Sequence, residues 1–542
     1  MPSILDRCRQ FSTDKSAHNR EERGMPKISL WRMLMATGAA LFIGLSASTA
    51  DAQSMGGDLI VAQASNPPSL DAMVTTSQMS RNITMNIYET LYGFSDSIVP
   101  IPILATGVEI SEDGLTYRFP LRAGVKFHNG KEMGAEDVRA SLERYKAIGG
   151  TASMLAGVTS IEASGPLEVT LTMEKPFPGF LEAFASPRAP AVIIPAEEAG
   201  KPANEIAVIG TGPYKFVEYV PDSHVRLERF ADYAADETHA DIDGFGGKKT
   251  AYLDSVTFRV IPEPGAAVAA LEAGEVQLLE QIPVPTARRL AGNSEMKVYE
   301  NSPWAFLVFI FNLNEAPADN PKFREAVQIA LNSEEIMAIA TEGLFNLYHG
   351  WMYEGTTYDA GEIGKDRYNV ADLDRARALL AEAGYSGQPF TILTDTQGPE
   401  RNKAAVVIAE QLRAIGVNVV INQVDWPTAL QIRLQDTGWS AWTLTMGIEP
   451  YLGPEALIST FTGPATHFRK ADPELDALYA ELVDTADLTA RKAVFARIQQ
   501  RLDTFAPVIK LGETGLMQAS SAKVEGFRPF RFPRVYNVWF AD

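Results

Sequence analysis

The chain has 542 residues, 46% of them apolar, and a formal charge of −20 set by 68 acidic against 48 basic side chains. A surface this acidic repels nucleic acid and anionic lipid, which excludes partners recruited by positive charge. The single cysteine, Cys8, allows no internal disulfide, so a chain of this length must be stabilised by burial in more than one core.

Between Met25 and Ala52, Lys27 and Arg32 precede the apolar run MLMATGAALFIGL, and Ala50-Asp51-Ala52 follows it. That layout is a secretory signal peptide, with an apolar stretch shorter than the roughly 20 residues a bilayer span needs. Cleavage is expected after Ala52, with Met25 as the natural start and no following Cys for a lipid anchor. Removing residues 1–52 takes away seven Lys/Arg and five Asp/Glu, leaving 490 residues with a formal charge of −22. No second apolar run reaches spanning length, so the exported product is expected to be soluble, with two or three domains.

The first half reads as strands and turns. DLIVAQAS (58–65), LTYRFPLRAGVKF (115–127), LEVTLTME (167–174) and DSVTFRVI (254–261) alternate apolar positions between Gly, Pro and Asp. Helical spacing is brief, at AEDVRASLERY (135–145) and at AAVAALEAG (266–274), which Gly274 closes. The acidic segment 232–249 contains a DxDG fragment, but it lacks the spacing and terminal Glu of an EF-hand and is read as a solvated loop.

The second half reads as α/β. In DLDRARALLAEAG, Leu373, Ala376, Leu380 and Ala383 share a helix face that ends at Gly384. FTILTD then predicts a strand, Pro399 opens a helix through Ala405, Ile408, Leu412 and Ile415, Gly416 ends it, and VNVVI begins a second strand. The expected unit is β-α-β with a parallel pair and a right-handed crossover.

Catalytic constellations are missing. There is no HExxH, no GxSxG and no cysteine after the signal; His128, His224, His239, His349 and His467 are scattered without ligand spacing. GGKKT (246–250) lacks the first glycine of a phosphate loop, and SSAK (520–523) is an isolated tetrapeptide. A carboxylate pair for glycoside hydrolysis depends on spatial separation, so a secreted hydrolase stays open as the competing class. The aromatic placement does rise above background. Trp304, Trp351, Trp426, Trp439 and Trp442 fall between 301 and 442, with Tyr348 and Tyr353 beside the second. For any one of them core packing is the plainer reading; the polar neighbours of GWSAW suggest a loop and a stacking wall for an amphipathic solute.

Taken in order, NPPSLDA (66–72), YETLYGF (88–94), LTYRFPLRAGVKFHNGKEMGAEDVRASLER (115–144), GTGPYKF (210–216) and LLAEAGY (379–385) resemble the family 5 extracytoplasmic solute-binding proteins of ABC importers. That group includes dipeptide-, oligopeptide- and nickel-binding components. The resemblance implies an α/β, two-lobed Venus-flytrap fold of the class II type, with an extra β-rich subdomain in lobe one. Lobe one would hold residues 53–300 plus 508–542, and lobe two residues 301–507. It also implies a monomer that closes about its hinge on a small polar solute or short peptide and hands it to ABC permease subunits in the inner membrane, with no cofactor.

Two positions carry over from relatives. Arg188, in FASPRAPAVIIP, resembles an LPRP segment whose Arg meets ligand carboxylates, a task suited to a guanidinium fork; a lobe-surface salt bridge is the alternative role. In GWSAWTLTMGIEPYLGP (438–454), counting back from Pro450 puts Met446 where peptide-binding relatives carry an Asp for the ligand's free amine. Recognition of a free α-amine by that route is not expected, although Glu449 stands nearby. The expected ligand contacts are Arg188 for an anionic group, Trp304, Trp439 and Trp442 with Tyr348 and Trp351 as walls, and Met446 for selectivity. An opine, oligosaccharide or metal chelate fits this pattern as well as a peptide.

Overall fold

Alternation of apolar residues does yield strands. Asp58–Gln63, Thr116–Pro120, Glu168–Met173 and Ser255–Val260 all form, and Glu168–Met173 buries Val169, Leu171 and Met173 on one face. The computed structural model describes residues 53–541 except Pro178, Ala360, Gln397, 448–452, 464–465 and Ala486. The expected signal region, 1–52, and the pair Glu449 and Pro450 lie outside the described residues.

Eleven strands make one mixed sheet. Its path runs Val419–Val424, Phe390–Asp395, Ala441–Met446, Met296–Phe311, Val508–Ser521, Leu278–Ile282, Asp58–Gln63, Ser255–Val260, His224–Arg229, Tyr214–Val220, with Phe345–Asn346 added beside Val508–Ser521. Two parallel groups stand apart in it: Asp58–Gln63 between Ser255–Val260 and Leu278–Ile282, and Phe390–Asp395 between Val419–Val424 and Ala441–Met446. A separate four-stranded antiparallel sheet contains Glu109–Ile110, Thr116–Pro120, Glu168–Met173 and Val158–Gly165.

Two large hydrophobic clusters sit along this framework. The first runs from Leu59 to Leu278 and is completed by Val524, Phe527, Phe530, Phe532, Val535, Tyr536 and Val538; the second lies between Phe306 and Leu511. A small third cluster gathers Val268, Leu271, Leu279 and Leu290. The long strands Met296–Phe311 and Val508–Ser521 pair antiparallel and run from one large cluster to the other. Their register breaks between Asn301 and Ala305, where the pairing steps from Leu516 to Thr514.

The β-α-β unit forms as expected: Phe390–Asp395 pairs in parallel with Val419–Val424 across the helix Pro399–Ala414. Ala405, Ile408 and Leu412 are buried, and Gly416 adopts φ +96° just beyond the helix.

The sequence blocks that carried the resemblance dock on one another. Gly130 at φ +87° closes the Asn129-Gly130 turn, with Phe127 N–H donating to Lys131 O at 2.8 Å. His128 then accepts from Gly210 N–H at Nδ1, 3.2 Å, and places Nε2 3.0 Å from Gly212 O. Burial pushes its pKa down to about 4 against the opposing pull of the Gly212 carbonyl and Glu89, and so keeps the ring neutral. Gly210 itself is forced: a Cβ there would lie 2.1 Å from Ile87 O. The acid of AEDV is equally structural, since Asp137 accepts from Gly134 N–H at 3.0 Å and from Ala196 N–H at 2.8 Å.

The 232–249 segment corrects the solvated-loop reading in its second half. Glu237 to Asp241 are exposed, but Ile242 and Gly244 to Gly247 are buried, and Lys249 forms a buried ion pair with Glu89 at 2.8 Å. That carboxylate, held below the usual range by Lys249 against the opposing effect of burial, keeps the lysine inside.

Candidate functional site

A cavity of about 290 Å³ opens between elements belonging to the two large clusters. One wall, near the first cluster, carries Glu182, Ser186 and Arg188; the other, near the second, carries Tyr358, Glu455 and Arg491. The volume is at the lower end of small-molecule sites, about 300–1,000 Å³.

The Arg188 loop is fixed through its backbone. Arg188 N–H donates to Ser186 Oγ at 3.2 Å, Thr151 Oγ1 donates to Arg188 O at 3.1 Å, and Tyr145 OH donates to Ala189 O at 2.6 Å. Its side chain is exposed, and among the described residues no ion pair or hydrogen bond engages the guanidinium. A cation held on a fixed loop with its donors free is arranged to receive an anion. Glu182 faces the same space, its carboxyl pushed up by burial against a smaller lowering from its own backbone and from Arg491.

Arg491 is different in kind. Its side chain is 2% exposed, and each guanidinium nitrogen is engaged: Nε to Tyr358 OH at 2.9 Å, Nη1 to Leu482 O at 2.8 Å and Thr485 O at 3.2 Å, and Nη2 to the Glu455 carboxylate. It rigidifies the wall, leaving little for a ligand. A would-be Cβ on Gly179 lies 3.9 Å from Arg491 Nη2, so the two walls approach closely there, and Lys175 meets Asp484 at 3.2 Å on the exposed rim. None of the described residues lining the cavity is a His, Cys or Lys. Among the described residues no group of three or more His, Cys, Asp and Glu is placed to hold a metal, and no helix is long and apolar enough to cross a membrane.

Of the seven contacts expected from sequence, Arg188 lines this cavity and the aromatic walls do not. Trp439 is fully buried and donates Nε1–H to Gln435 O at 3.0 Å; Trp442 packs between His467, 6.3 Å and nearly parallel, and Trp426 at 6.1 Å. Trp351 is buried edge-on to Phe461, and Tyr348 is buried with its hydroxyl on Asp359. The stacking-wall reading of these four is therefore corrected to core packing. GWSAW misled because Gly438 turns directly into Ala441–Met446, a strand with neighbours on both sides, and its polar residues are satisfied inside the sheet. Ser440 Oγ accepts from Thr391 N–H at 3.1 Å, and Thr443 Oγ1 donates to Thr394 Oγ1 at 3.0 Å. Trp304 is half-buried under the Arg531 guanidinium, 4.7 Å from its ring. Met446 ends its strand opposite Phe306 and is buried.

Glu182, Tyr358, Glu455 and Arg491 went unread in the sequence. One signal was there: Arg491 falls on the same face of the helix Leu488–Phe505 as buried Val494, Phe495, Ile498 and Leu502, and a charge on an apolar stripe needs an internal partner.

Comparison with known proteins agrees along most of the chain. The profile of a family described as bacterial extracellular solute-binding proteins, family 5 Middle, matches residues 99–468. The glutathione-binding protein GsiB of Pectobacterium atrosepticum is 28% identical over 492 residues, covering 87% of this chain and 91% of that protein. A probable peptide ABC transporter periplasmic-binding protein of Sinorhizobium fredii is 27% identical over 94% of this chain and 98% of its own length. Among solved structures, the ABC transporter substrate-binding protein CtaP of Listeria monocytogenes superposes with a TM-score of 0.79 at 24% identity, covering 90% of this chain and all of that one.

Proposed function

Because the chain belongs to the bacterial extracellular solute-binding proteins of family 5, a family of binding proteins and not enzymes, we propose that it captures a short peptide or similar small polar solute outside the cytoplasm and delivers it to an ABC permease. The observation that carries this reading is the cavity shared by two cores, with Arg188 presented on one wall and its donors free. In the same reading residues 1–52 are an export signal cleaved after Ala52, and the product is periplasmic. Residues 53–300 with 508–542 form lobe one and residues 301–507 lobe two, with the second boundary moved to Leu516 because Val508, Ile509 and Leu511 pack in the second core; the crossings fall at the register break beside Asn301 and Leu516. Hinge closure there brings Arg188 and the Arg491–Glu455 wall onto the solute.

Arg188 anchors a carboxylate of the solute. Met446 stands where an acid would meet a free amine, and the absence of that acid also admits a carboxylated non-peptide such as an opine. Glutathione, for which the Pectobacterium relative is named and which bears two carboxylates, is the first candidate to test. A thermal-shift screen of glutathione, dipeptides, opines and oligosaccharides reads the ligand class, since a solute that binds only the folded state raises Tm with concentration. For a carboxylated ligand, Arg188→Ala weakens binding about tenfold or more, the cost of losing a charge-assisted hydrogen bond. Unchanged affinity in that variant removes Arg188 from the site.

A further inference from the structure

A second cavity, of about 420 Å³, lies outside the carboxyl ends of the three adjacent parallel strands Asp58–Gln63, Ser255–Val260 and Leu278–Ile282, with Pro399 reaching it from the second cluster's side. Open α/β sheets place ligands at this end of their strands. Gln63 and Glu280 line it. Since Ala62 pairs with Leu279, the next residues, Gln63 and Glu280, stand side by side.

Their hydrogen bonding is one-sided. Gln63 spends its Nε2 on Ser65 O at 2.8 Å, which leaves Oε1 buried and without a donor. Asn82 Nδ2 donates to Glu280 Oε2, while Glu280 Oε1 and Asn82 Oδ1 remain buried and without donors. Glu280 is 8% exposed and Gln63 2% exposed, and among the described residues none that lines the cavity is basic. Burial alone, opposed only by the Asn82 bond, pushes the Glu280 carboxyl up to about 8. A proton on the carboxyl serves at most one of these three oxygens, whereas an ammonium brings three donors and the charge that lets Glu280 ionise.

We propose that this cavity is a cation subsite, in which a primary ammonium group of the solute binds Glu280 with Gln63 as second acceptor. The proposal rests on the solute-binding reading and adds to it a positive group, recognised from the sheet and not from Met446.

The probes are alanyl-alaninamide and 1,4-diaminobutane, with N-acetylalanyl-alaninamide and 1,4-butanediol as uncharged counterparts, measured by thermal shift and by calorimetry in buffers of different ionisation enthalpy. At least one amine raises Tm, its uncharged counterpart does not, and binding releases protons because Glu280 ionises. Glu280→Gln, which keeps shape and loses charge, weakens the amine about tenfold or more. Gln63→Leu gives a smaller loss and stands in if Glu280→Gln fails to fold. Equal response to charged and uncharged probes, no response to either amine, or unchanged affinity in Glu280→Gln overturns the proposal. If carboxylated peptides still raise Tm while the amines do not, the subsite alone has failed; if nothing raises Tm, the solute-binding reading has failed with it.

Discussion

In the first core the conspicuous residues are backbone devices, and in the second they are bulk. His128, Gly210, Gly212 and Asp137 hold loops against one another through main-chain hydrogen bonds and contacts too close for a side chain. Trp351, Trp439 and Trp442 instead fill the interior between Phe306 and Leu511. Neither set lines the cavity that Arg188 does. A rare residue or a recognisable block reports how tightly the surrounding chain is constrained, which is a statement about packing before it is one about ligands.

The sharpest way to break this contrast is Gly210→Ala. The added Cβ meets the Ile87 carbonyl, which cannot swing away, so a loss above about 4 kcal/mol or no folded protein is expected, read by urea unfolding. Trp442→Ala comes next, with about 3–5 kcal/mol lost and ligand affinity of the folded fraction unchanged. A large affinity loss there would return the indole to the site.

A smaller effect separates the cores by pH. Glu280, with a folded pKa raised to about 8, retains its proton where the unfolded chain, near 4.5, has lost it, so stability falls as pH rises between those values. His128, lowered to about 4, works the other way, adding stability as pH rises from 4 towards 6.5. Above pH 6.5 the Glu280 contribution is unopposed by His128, and the unfolding free energy should decline from pH 6.5 to 8, with Tm following, at a slope of at most about 1.4 kcal/mol per unit for one proton. Asp503, raised by burial to about 7, adds to the decline at its start. Glu280→Gln should flatten the profile; if it does not, Glu280 is ionised in the folded protein. Smallest of all, Lys175→Ala removes an ion pair whose side chains are 70% and 71% exposed, and a stability change within about 0.5 kcal/mol is expected in denaturant titration.

Local order was well written in the sequence. Pro399, the spacing of Ala405, Ile408 and Leu412, and Gly416 defined the helix of the β-α-β unit to within a residue or two, because each acts through its own backbone or face. Arg188 was legible through resemblance. What faces it was not: Tyr358, Glu455 and Arg491 come from three separate segments brought together by the second core, and no spacing along the chain encodes that meeting. Glu280 was hidden for a related reason, since its neighbour Gln63 is a partner only through strand register. The polar residues of GWSAW pointed the wrong way because a central strand satisfies hydroxyls as well as water does.

The first core is closed by residues that come late in the chain. Val524 to Val538 pack among side chains that begin at Leu59, and Asn86 Oδ1 accepts from Val535 N–H at 3.2 Å. On a ribosome, the N-terminal half therefore emerges with a gap in its interior that stays open until the whole second core has been made. Its apolar surface is left to holding factors for that interval, and a nascent chain stopped after Phe505 should remain protease-sensitive in the half that was synthesised first.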